Sequence, residues 1–336
     1  MLSLNGIGMG VMEISHRSAH FEAILHAARD GIKGLLEIPD NYQILFLQGG
    51  ASLQFSMIPM NFLASGTRAD YVVTGAWGEK AVIEAKKCGN AEVLFSTSER
   101  GYNFVPEADE INGRPDAAYL HYTSNETIEG VEFKYDLDGG TAPVMCDASS
   151  NILSKPIDVK KYALIYAGAQ KNMGPSGVTV VIIRDDMLER IPAGQASLLD
   201  YSKIAENDSL LNTPNTWGIY LISLVCDWLT TQGGLAAMQT RNEAKAKILY
   251  DGIDASEGFY RGHAEPKSRS VMNVTFRLPN ERLESGFCSE ATTLGMDGLK
   301  GHRSVGGIRA SIYNAFPKDG VERLVEFMKA FAERHG

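Results

Sequence analysis

The sequence contains the stretch Tyr162-Ala-Leu-Ile-Tyr-Ala-Gly-Ala-Gln-Lys171-Asn-Met-Gly-Pro-Ser-Gly177. Its apolar beginning is typical of a buried strand, and Lys171 follows inside a turn of small residues. Burial and neighbouring cations lower the pKa of a lysine, and an amine that forms a Schiff base needs a lowered pKa. A solvated surface lysine is the alternative, and it is favoured for an isolated lysine. The motifs around Lys171 favour its interpretation as a nucleophilic amine over that of a surface lysine.

On both sides of this stretch, predicted strands alternate with predicted helices. Helical spacing of apolar residues predicts helices over residues 18–36, 52–63, 77–87, 216–231, 235–253 and 321–334. Short apolar runs predict strands over residues 42–47, 71–73, 92–95, 117–122, 143–146, 162–167 and 178–183. This βαβα order predicts an α/β fold with a mainly parallel sheet covered by helices.

The length of 336 residues exceeds the usual size of one core and favours a large domain followed by a smaller one. After residue 253 the predicted strands become rare. We therefore predict a large domain over residues 1–233, with a boundary near Gly233-Gly234, and a small C-terminal domain over residues 234–336.

Composition excludes several classes of function. A net charge of −9 argues against a nucleic-acid partner and against binding to an anionic membrane. No apolar run approaches the roughly 20 residues that a membrane span needs.

The cysteines lie far apart, which indicates neither a disulfide framework nor a zinc site; they are Cys88, Cys146, Cys226 and Cys288. His16 and His20 lack the other ligands of a metal site. We expect a cytoplasmic protein without a metal.

Two further motifs complete the parts of a pyridoxal-phosphate site. Asp147 ends a predicted strand, where a carboxylate can pair with a protonated pyridine nitrogen, although an isolated aspartate is more often a turn or capping residue. The segment Gly49-Gly-Ala-Ser52 lies between a strand and a helix, where backbone N–H groups can bind a phosphate. Each motif alone is weak evidence. Together with Lys171 they indicate one cofactor.

Two basic clusters stand out in this acidic chain. His16-Arg17 lies near the start, and His302-Arg303 is followed by Arg309 among glycines near the end. Arginines in such surroundings favour forked binding of a carboxylate or phosphate, with an ordinary surface arginine as the equal alternative for any one of them.

The sequence resembles the phosphoserine aminotransferase family, which belongs to the class V pyridoxal-phosphate-dependent aminotransferases with the aspartate-aminotransferase fold (fold type I). The resemblance runs from about Gly8 to the C-terminus. The blocks that carry it are Met12-Glu-Ile-Ser-His-Arg-Ser18, Gly49-Gly-Ala-Ser-Leu-Gln-Phe55, Thr74-Gly-Ala-Trp77, His121-Tyr-Thr-Ser-Asn-Glu-Thr127, Asp147-Ala-Ser-Ser-Asn-Ile-Leu-Ser154, Ala167-Gly-Ala-Gln-Lys-Asn172 and Gly301-His-Arg-Ser-Val-Gly-Gly-Ile-Arg-Ala-Ser311.

The resemblance implies a role for each matching residue. Lys171 would hold pyridoxal 5′-phosphate as a Schiff base, Asp147 would pair with the ring nitrogen, and Trp77 would stack on the ring. The other implied cofactor contacts are Ala51, Ser52 and Gln170 to the phosphate, Thr123 to the ring hydroxyl side, and Asn212 and Thr213 to the phosphate from a partner subunit. The working unit would then be a homodimer.

The same resemblance implies the reaction and its substrates. Amino groups would pass between phosphoserine or 3-phosphohydroxypyruvate and glutamate or 2-oxoglutarate in serine biosynthesis. The sequence leaves open whether 4-phosphohydroxythreonine of pyridoxine biosynthesis, which shares the phosphate and the α-carboxylate, is a further substrate. Arg309 would bind the α-carboxylate. The phosphate or the distal carboxylate would be bound by His16, Arg17, His302 and Arg303.

Three alternatives remain open at this point. One is another class V reaction, such as that of a serine-glyoxylate-type aminotransferase. Another is cysteine desulfuration, for which Cys288 is the late candidate, although it lies in a helix-like stretch. The third is a cofactor-binding protein of reduced activity, because the family normally begins with a segment containing Ser-Ala-Gly-Pro-Ala that lies before the start of this chain. A second departure, Asn215-Thr216-Trp217 in place of Pro-Thr-Phe, is expected to be tolerated.

Overall fold

The computed structural model describes residues 3–303 and 305–336. Ser304, which lies within the block 301–311, is outside the described residues. In the part of the chain that is described, no helix is both long enough and apolar enough to cross a membrane.

Nine α-helices and twelve β-strands occur within these ranges. The helices are α1 (Ala19–Leu36), α2 (Gly50–Phe62), α3 (Ala76–Cys88), α4 (Asp185–Leu188), α5 (Tyr201–Glu206), α6 (Thr216–Thr231), α7 (Gly234–Asp254), α8 (Glu281–Thr293) and α9 (Lys318–His335). The strands are β1 (Tyr42–Leu47), β2 (Arg68–Val73), β3 (Asn90–Ser96), β4 (Ala117–Thr123), β5 (Asn125–Glu126), β6 (Val131–Glu132), β7 (Val144–Asp147), β8 (Leu164–Gly168), β9 (Thr179–Arg184), β10 (Arg261–Gly262), β11 (Asn273–Arg277) and β12 (Ile308–Ser311).

The large sheet has seven strands in the order β1-β9-β8-β7-β4-β2-β3. In this order, the neighbouring strands β8, β7, β4, β2 and β3 are parallel to one another. Strand β9 runs antiparallel to both of its neighbours, β1 and β8. The prediction of an α/β fold with a mainly parallel sheet is therefore confirmed. Because the carboxyl ends of parallel strands share one edge of a sheet, β4, β7 and β8 end side by side, at Thr123, Asp147 and Gly168.

Helices cover both faces of this sheet and form two cores. On one face α1 packs against α6, and the contact is so close that a Cβ on Gly31 would lie 2.6 Å from Cβ of Cys226. On the other face α2 packs against α3 over a cluster that includes Tyr71 and Tyr166. The continuous apolar runs of the strands are explained by burial on both faces.

The C-terminal part of the chain contains a second, smaller sheet. Strands β10, β11 and β12 are antiparallel, and α7, α8 and α9 pack around them over a core that includes Phe287 and Phe331. These strands have only two to five residues, which is too short for an apolar run to predict. Gly233 and Gly234 both adopt positive φ angles at the start of α7. The domain boundary at this point stays a prediction.

Candidate active site

The pocket lies at the edge of the large sheet where β4, β7 and β8 end. Thr123 is the last residue of β4, and Asp147 is the last residue of β7 in the parallel register opposite it. Lys171 lies in the turn between β8 and β9, three residues beyond Gly168. The fold therefore brings the predicted lysine and aspartate to the same edge of the sheet.

Lys171 is held by a hydrogen bond and by burial. Its Nζ donates to Oγ1 of Thr127 at 2.7 Å. Burial lowers the pKa of Lys171, and the nearby Arg309 guanidinium lowers it further, whereas Asp147 and Glu126 oppose the shift. A larger fraction of the amine is consequently neutral than for an exposed lysine, as a nucleophilic amine requires.

Asp147 is a buried carboxylate at the end of β7. Only 5% of the residue is exposed, and its Oδ1 accepts the backbone N–H of Ser149 at 2.9 Å. Burial raises the pKa of Asp147, while the bonds from Ser149 and the charge of Lys171 act in the opposite direction. A carboxylate with this balance is suited to pair with a protonated ring nitrogen.

Trp77 provides the aromatic wall of the pocket. It is the second residue of α3, and its ring centroid lies 5.8 Å from Nζ of Lys171. On the helix side, Nζ of Lys80 lies 4.0 Å from the same ring centroid. Phe55 of α2 lies 6.5 Å from the ring, between centroids. This places the indole beside the lysine, where the resemblance predicts a stacked cofactor ring.

Two buried carboxylates bind the backbone at the start of α3. Glu126 accepts the N–H groups of Trp77 on Oε2 at 3.1 Å and of Gly78 on Oε1 at 2.8 Å. Glu129 accepts the N–H of Ala76 on Oε1 at 3.1 Å. Sequence reasoning missed both residues. The available signal was the block 121–127 itself, in which a glutamate stands next to Thr127.

The predicted phosphate cradle is the N-terminus of α2. Gly49 and Gly50 have φ angles of 89° and 70°, so the turn from β1 into the helix uses the left-handed region that favours glycine. No side chain caps this helix, and its first turn, which contains Ala51 and Ser52, has no acidic residue. An anion bound here would meet free N–H groups and the positive end of the helix dipole.

Three other predicted phosphate contacts occupy exposed positions. Gln170 follows β8 next to Lys171. Asn212 donates to Oε1 of Gln48 at 2.8 Å, and the Gln48 amide donates to the carbonyl of Thr213 at 2.8 Å. Since Gln48 directly precedes Gly49, the loop with Asn212 and Thr213 adjoins the start of α2 in the same chain. Its predicted contact across a dimer interface stays a prediction.

Three cationic side chains act on His302 on the side of the small sheet. Arg309 lies on β12, with a buried Nε that has no hydrogen-bond partner. Burial lowers the pKa of His302, and the charges of Lys80, Arg309 and Arg303 lower it further. The structure thus brings His302, Arg303 and Arg309 together and adds Lys80, which sequence reasoning missed. His16 is half-buried and Arg17 is exposed in the N-terminal loop, and their contact with a substrate stays a prediction.

Several buried polar atoms at this edge have no hydrogen-bond partner in the described chain. They are Oγ1 of Thr123, Nε1 of Trp77, Nδ1 of His121 and Nε of Arg309. Unpaired buried polar groups are costly, so such a group at a pocket indicates a missing ligand. An aromatic ring that carries a nitrogen, a hydroxyl and a phosphate matches Asp147, Thr123 and the first turn of α2. The residues present therefore fit pyridoxal phosphate.

Comparisons with known proteins agree with this geometry. The family model described as aminotransferase class-V matches residues 3–324. The phosphoserine aminotransferase of Geobacillus kaustophilus is 54% identical over 334 residues, which are 99% of this chain and 92% of that protein. The phosphoserine aminotransferase of Laribacter hongkongensis is 52% identical over 99% of this chain and 92% of its own length.

Solved structures give the same result. The phosphoserine aminotransferase of Bacillus circulans subsp. alkalophilus superposes with a TM-score of 0.97 at 50% identity, over 98% of this chain and 92% of that one. The PLP-bound phosphoserine aminotransferase of Trichomonas vaginalis has a TM-score of 0.92 at 39% identity, over 98% and 93% of the two chains. The fold and site define a class-V aminotransferase. The chain belongs to this family and, within it, to the phosphoserine aminotransferases.

The candidate cysteine for desulfuration lies away from the pocket edge. Cys288 is in α8, as its helix-like surroundings predict, and it is half-buried. Burial raises the pKa of its thiol, which disfavours the nucleophilic thiolate. It lines a cavity of about 640 Å³ together with Arg277, Glu284 and Arg303. The structure therefore favours amino transfer over desulfuration.

Proposed function

We propose that this chain is a phosphoserine aminotransferase that binds pyridoxal 5′-phosphate through Lys171 and transfers the amino group of phosphoserine or glutamate. The observation that carries the proposal is the meeting of a desolvated lysine amine, a buried aspartate and an aromatic ring at the end of β7 and β8. The family membership supports the same activity, since relatives at 54% and 52% identity carry this name.

When bound, the cofactor supplies an electron sink for the electrons left at Cα after a proton is removed. Asp147 would strengthen that sink, because its buried carboxylate would pair with the protonated ring nitrogen. The hydroxyl of Thr123 would contact the side of the ring that carries the hydroxyl. The first turn of α2, with Ala51 and Ser52, and the amide of Gln170 would bind the phosphate. Trp77 would cover one face of the ring and exclude water from it.

Lys171 is the catalytic residue of this proposal. With cofactor and substrate bound, its amine would take a proton from Cα as a general base and would return it as a general acid. The lowered pKa suits this task, since a base that stayed protonated at neutral pH could not accept the proton. Thr127 Oγ1 holds Nζ at 2.7 Å and fixes its starting position.

The substrate is bound through its two anionic ends. Arg309, whose Nε lacks a partner within the described chain, binds the α-carboxylate and orients the Cα proton toward Lys171. The distal phosphate of phosphoserine, or the distal carboxylate of glutamate, is bound by His302 and Arg303 with His16 and Arg17. A substrate that lacks the distal anion would forgo the charge-assisted bonds to Arg17 and Arg303 and would be a poor one.

The assembly proposed for this activity is a homodimer in the cytoplasm. Asn212 and Thr213 are exposed beside Gln48, where they are available to complete the phosphate site of a second subunit. Their contact with Gln48 keeps this loop beside the start of α2 in its own chain. The four free cysteines accord with a reducing compartment.

The visible spectrum of the purified protein tests this function. We expect a band from pyridoxal phosphate bound to Lys171, and addition of phosphoserine without an oxo acid should convert the bound cofactor to pyridoxamine phosphate. The Lys171→Ala variant should lose this band and the activity, by on the order of a thousandfold or more in turnover. The Lys161→Ala variant is a matched control, because Lys161 is exposed on the far side of β8.

The outcome separates the parts of the proposal. A band that responds to another amino acid and not to phosphoserine would keep the cofactor and refute the substrate. The absence of any band after reconstitution with pyridoxal phosphate would refute the cofactor. Initial rates with phosphoserine and 2-oxoglutarate should give parallel lines, because the two half-reactions share no ternary complex.

A further inference from the structure

Three residues in the segment Asn125-Glu126-Thr127 contact three different parts of the site. Thr127 accepts the hydrogen bond from Nζ of Lys171 at 2.7 Å. Glu126 accepts the backbone N–H groups of Trp77 and Gly78. Asn125 donates to Oγ of Ser150 at 2.7 Å and to Oδ1 of Asn273 on β11 at 2.9 Å. The segment therefore connects both residues that face the cofactor ring to the small sheet.

The carboxyl group of Glu126 lies very close to the backbone at the start of α3. Gly75, which precedes the helix, is fully extended with φ 177° and ψ −175°. A Cβ at this position would lie 2.5 Å from Cδ and Cγ of Glu126 and 2.7 Å from Oε2 of Glu129. Only glycine leaves room for both carboxyl groups against the backbone. Glu126 is completely buried, so these bonds are shielded from water.

The hydrogen bonds distinguish the two carboxyl groups. Burial and the neighbouring Glu129 raise the pKa of Glu126, whereas the N–H bonds that both its oxygens accept from Gly78 and Trp77, at the positive end of a helix, act in the opposite direction. Glu129 is 3% exposed, and its Oε2 is buried without a partner in the described chain. That oxygen is the place for a proton, since two neighbouring buried carboxyl groups resist carrying two charges.

We propose that Glu126 is a positioning residue, which fixes the indole of Trp77 against the cofactor ring by holding the Trp77 and Gly78 N–H groups on its carboxylate. The inference rests on the proposed function, because Trp77 is assigned to the cofactor there. Among the described residues the Trp77 side chain has ring contacts with Phe55 and Lys80 but no hydrogen bond, so the directional bonds that orient Trp77 are those of its backbone.

Replacement of each carboxylate by an amide tests this role with a matched pair. In Glu126→Gln the side chain keeps one acceptor oxygen, but its NH₂ group points at a second N–H donor, and one bond is lost. In Glu129→Gln the oxygen still accepts the Ala76 N–H, and the NH₂ group replaces the protonated Oε2. The same chemical change is therefore expected to disturb Trp77 at the first position only.

The experiment uses the Trp217→Phe/Trp228→Phe background, in which Trp77 is the remaining tryptophan of three. Two quantities are measured: the near-ultraviolet circular dichroism of Trp77 in the apoprotein, and the dissociation constant of pyridoxal phosphate. We expect Glu126→Gln to lose most of the Trp77 signal and to bind the cofactor about tenfold more weakly, which is the usual effect of one lost hydrogen bond to a charged group. Glu129→Gln should stay within about twofold of the parent.

An unchanged Trp77 signal together with an unchanged cofactor dissociation constant in Glu126→Gln would overturn the proposal. Equal losses in Glu126→Gln and Glu129→Gln would also overturn it, because general damage to α3 would then explain both. If the parent does not bind pyridoxal phosphate, the proposed function fails, and the Trp77 signal of the apoprotein alone decides the role of Glu126.

A second measurement covers the case in which Glu126→Gln does not fold. In the wild-type apoprotein, the amide hydrogens of Trp77 and Gly78 should exchange with solvent as slowly as those within β4, although the first N–H groups of a helix usually exchange fast for lack of partners. Fast exchange of both amides would contradict the assignment without any substitution.

Discussion

Helices α2 and α3 both begin at the pocket, but their first turns are completed in opposite ways. The first N–H groups of α3 are bound by the buried carboxyl groups of Glu126 and Glu129. The first turn of α2 has no side-chain cap and no acidic residue. Both helix ends attract negative charge for the same physical reason. The protein supplies its own anion where a side chain must be held still, and leaves the other end for the anion of its ligand.

The comparison explains why glycines stand before both helices. Gly49 and Gly50 have positive φ angles, which let the chain turn sharply so that the N–H groups of α2 face the pocket. Gly75 is extended and is required for a different reason, because its missing Cβ makes room for two carboxyl groups. One pair of glycines serves backbone conformation, and the other glycine serves packing.

The largest effect is expected from Gly75→Ala. The added Cβ would lie 2.5 Å from Glu126, which has no room to retreat because it is fully buried. We expect the free energy of unfolding to fall by about 2 to 3 kcal/mol, as for overpacking of a core. Denaturant unfolding of the apoprotein measures the change.

Gly34→Ala is the control for this substitution. Gly34 lies within α1, and a Cβ there would meet no atom within 4 Å. Gly34→Ala should therefore raise the free energy of unfolding by roughly 0.5 to 1 kcal/mol, since alanine is the better helix former. Similar behaviour of the two variants would show that the carboxyl groups do not crowd Gly75 in solution.

Ser52→Asp is expected to have a smaller effect, which differs between the apoprotein and the protein with bound cofactor. A carboxylate in the first turn of α2 supplies the charge that the helix lacks, so the apoprotein should keep or gain stability. The same charge repels the cofactor phosphate. We expect the dissociation constant of pyridoxal phosphate to rise about thirtyfold, or about 2 kcal/mol.

The neutral variant Ser52→Asn separates charge from the loss of the hydroxyl group. It has nearly the shape of aspartate, and it should weaken cofactor binding much less than Ser52→Asp does. Titration of each apoprotein with pyridoxal phosphate gives the constants. If the two variants bind equally weakly, the end of α2 does not act through its charge, and the contrast between the two helices fails.

The sequence predicts one of these helix ends far better than the other. The phosphate cradle of α2 follows from local signals, because Gly49-Gly50 stands between an apolar run and a helical pattern. The end of α3 depends on Glu126 and Glu129, which lie some 50 residues further along the chain. No local pattern shows that these glutamates return to Gly75, since the return is made by the parallel crossover from β2 to β4.

The same distinction holds for the fold. The strand 42–47 and the helix 216–231 agree with the predicted bounds, because a long buried face gives a regular apolar pattern. The hairpin of β5 and β6 has two residues in each strand, and all four are buried. Two residues cannot show a period, so the element that holds both Thr127 and Glu126 carries no pattern of its own. The resemblance, and not periodicity, provided Thr123 and Trp77.

The smallest effect is expected in the dependence of stability on pH. Burial raises the pKa of Glu129 to about 7, and Glu79 adds to the shift, while the Ala76 N–H and Lys80 oppose it. An unfolded glutamate has a pKa near 4.5. The folded state therefore binds the proton more tightly, so the stabilisation is fully present below about pH 4.5 and is lost as the pH rises through about 7.

Glu129→Gln removes the Glu129 share of this titration, because an amide stays neutral, and it leaves Glu126, whose pKa burial also raises. We expect the free energy of unfolding of the wild-type apoprotein to fall, relative to that of Glu129→Gln, by on the order of 1 to 2 kcal/mol between pH 5 and pH 8. Denaturant unfolding of both proteins across this range measures the difference. A constant difference would mean that Glu129 is ionised throughout, and that two charged carboxylates share the start of α3. An ionised pair would imply that the helix end neutralises both, which is a stronger field than the one that α2 offers to a phosphate.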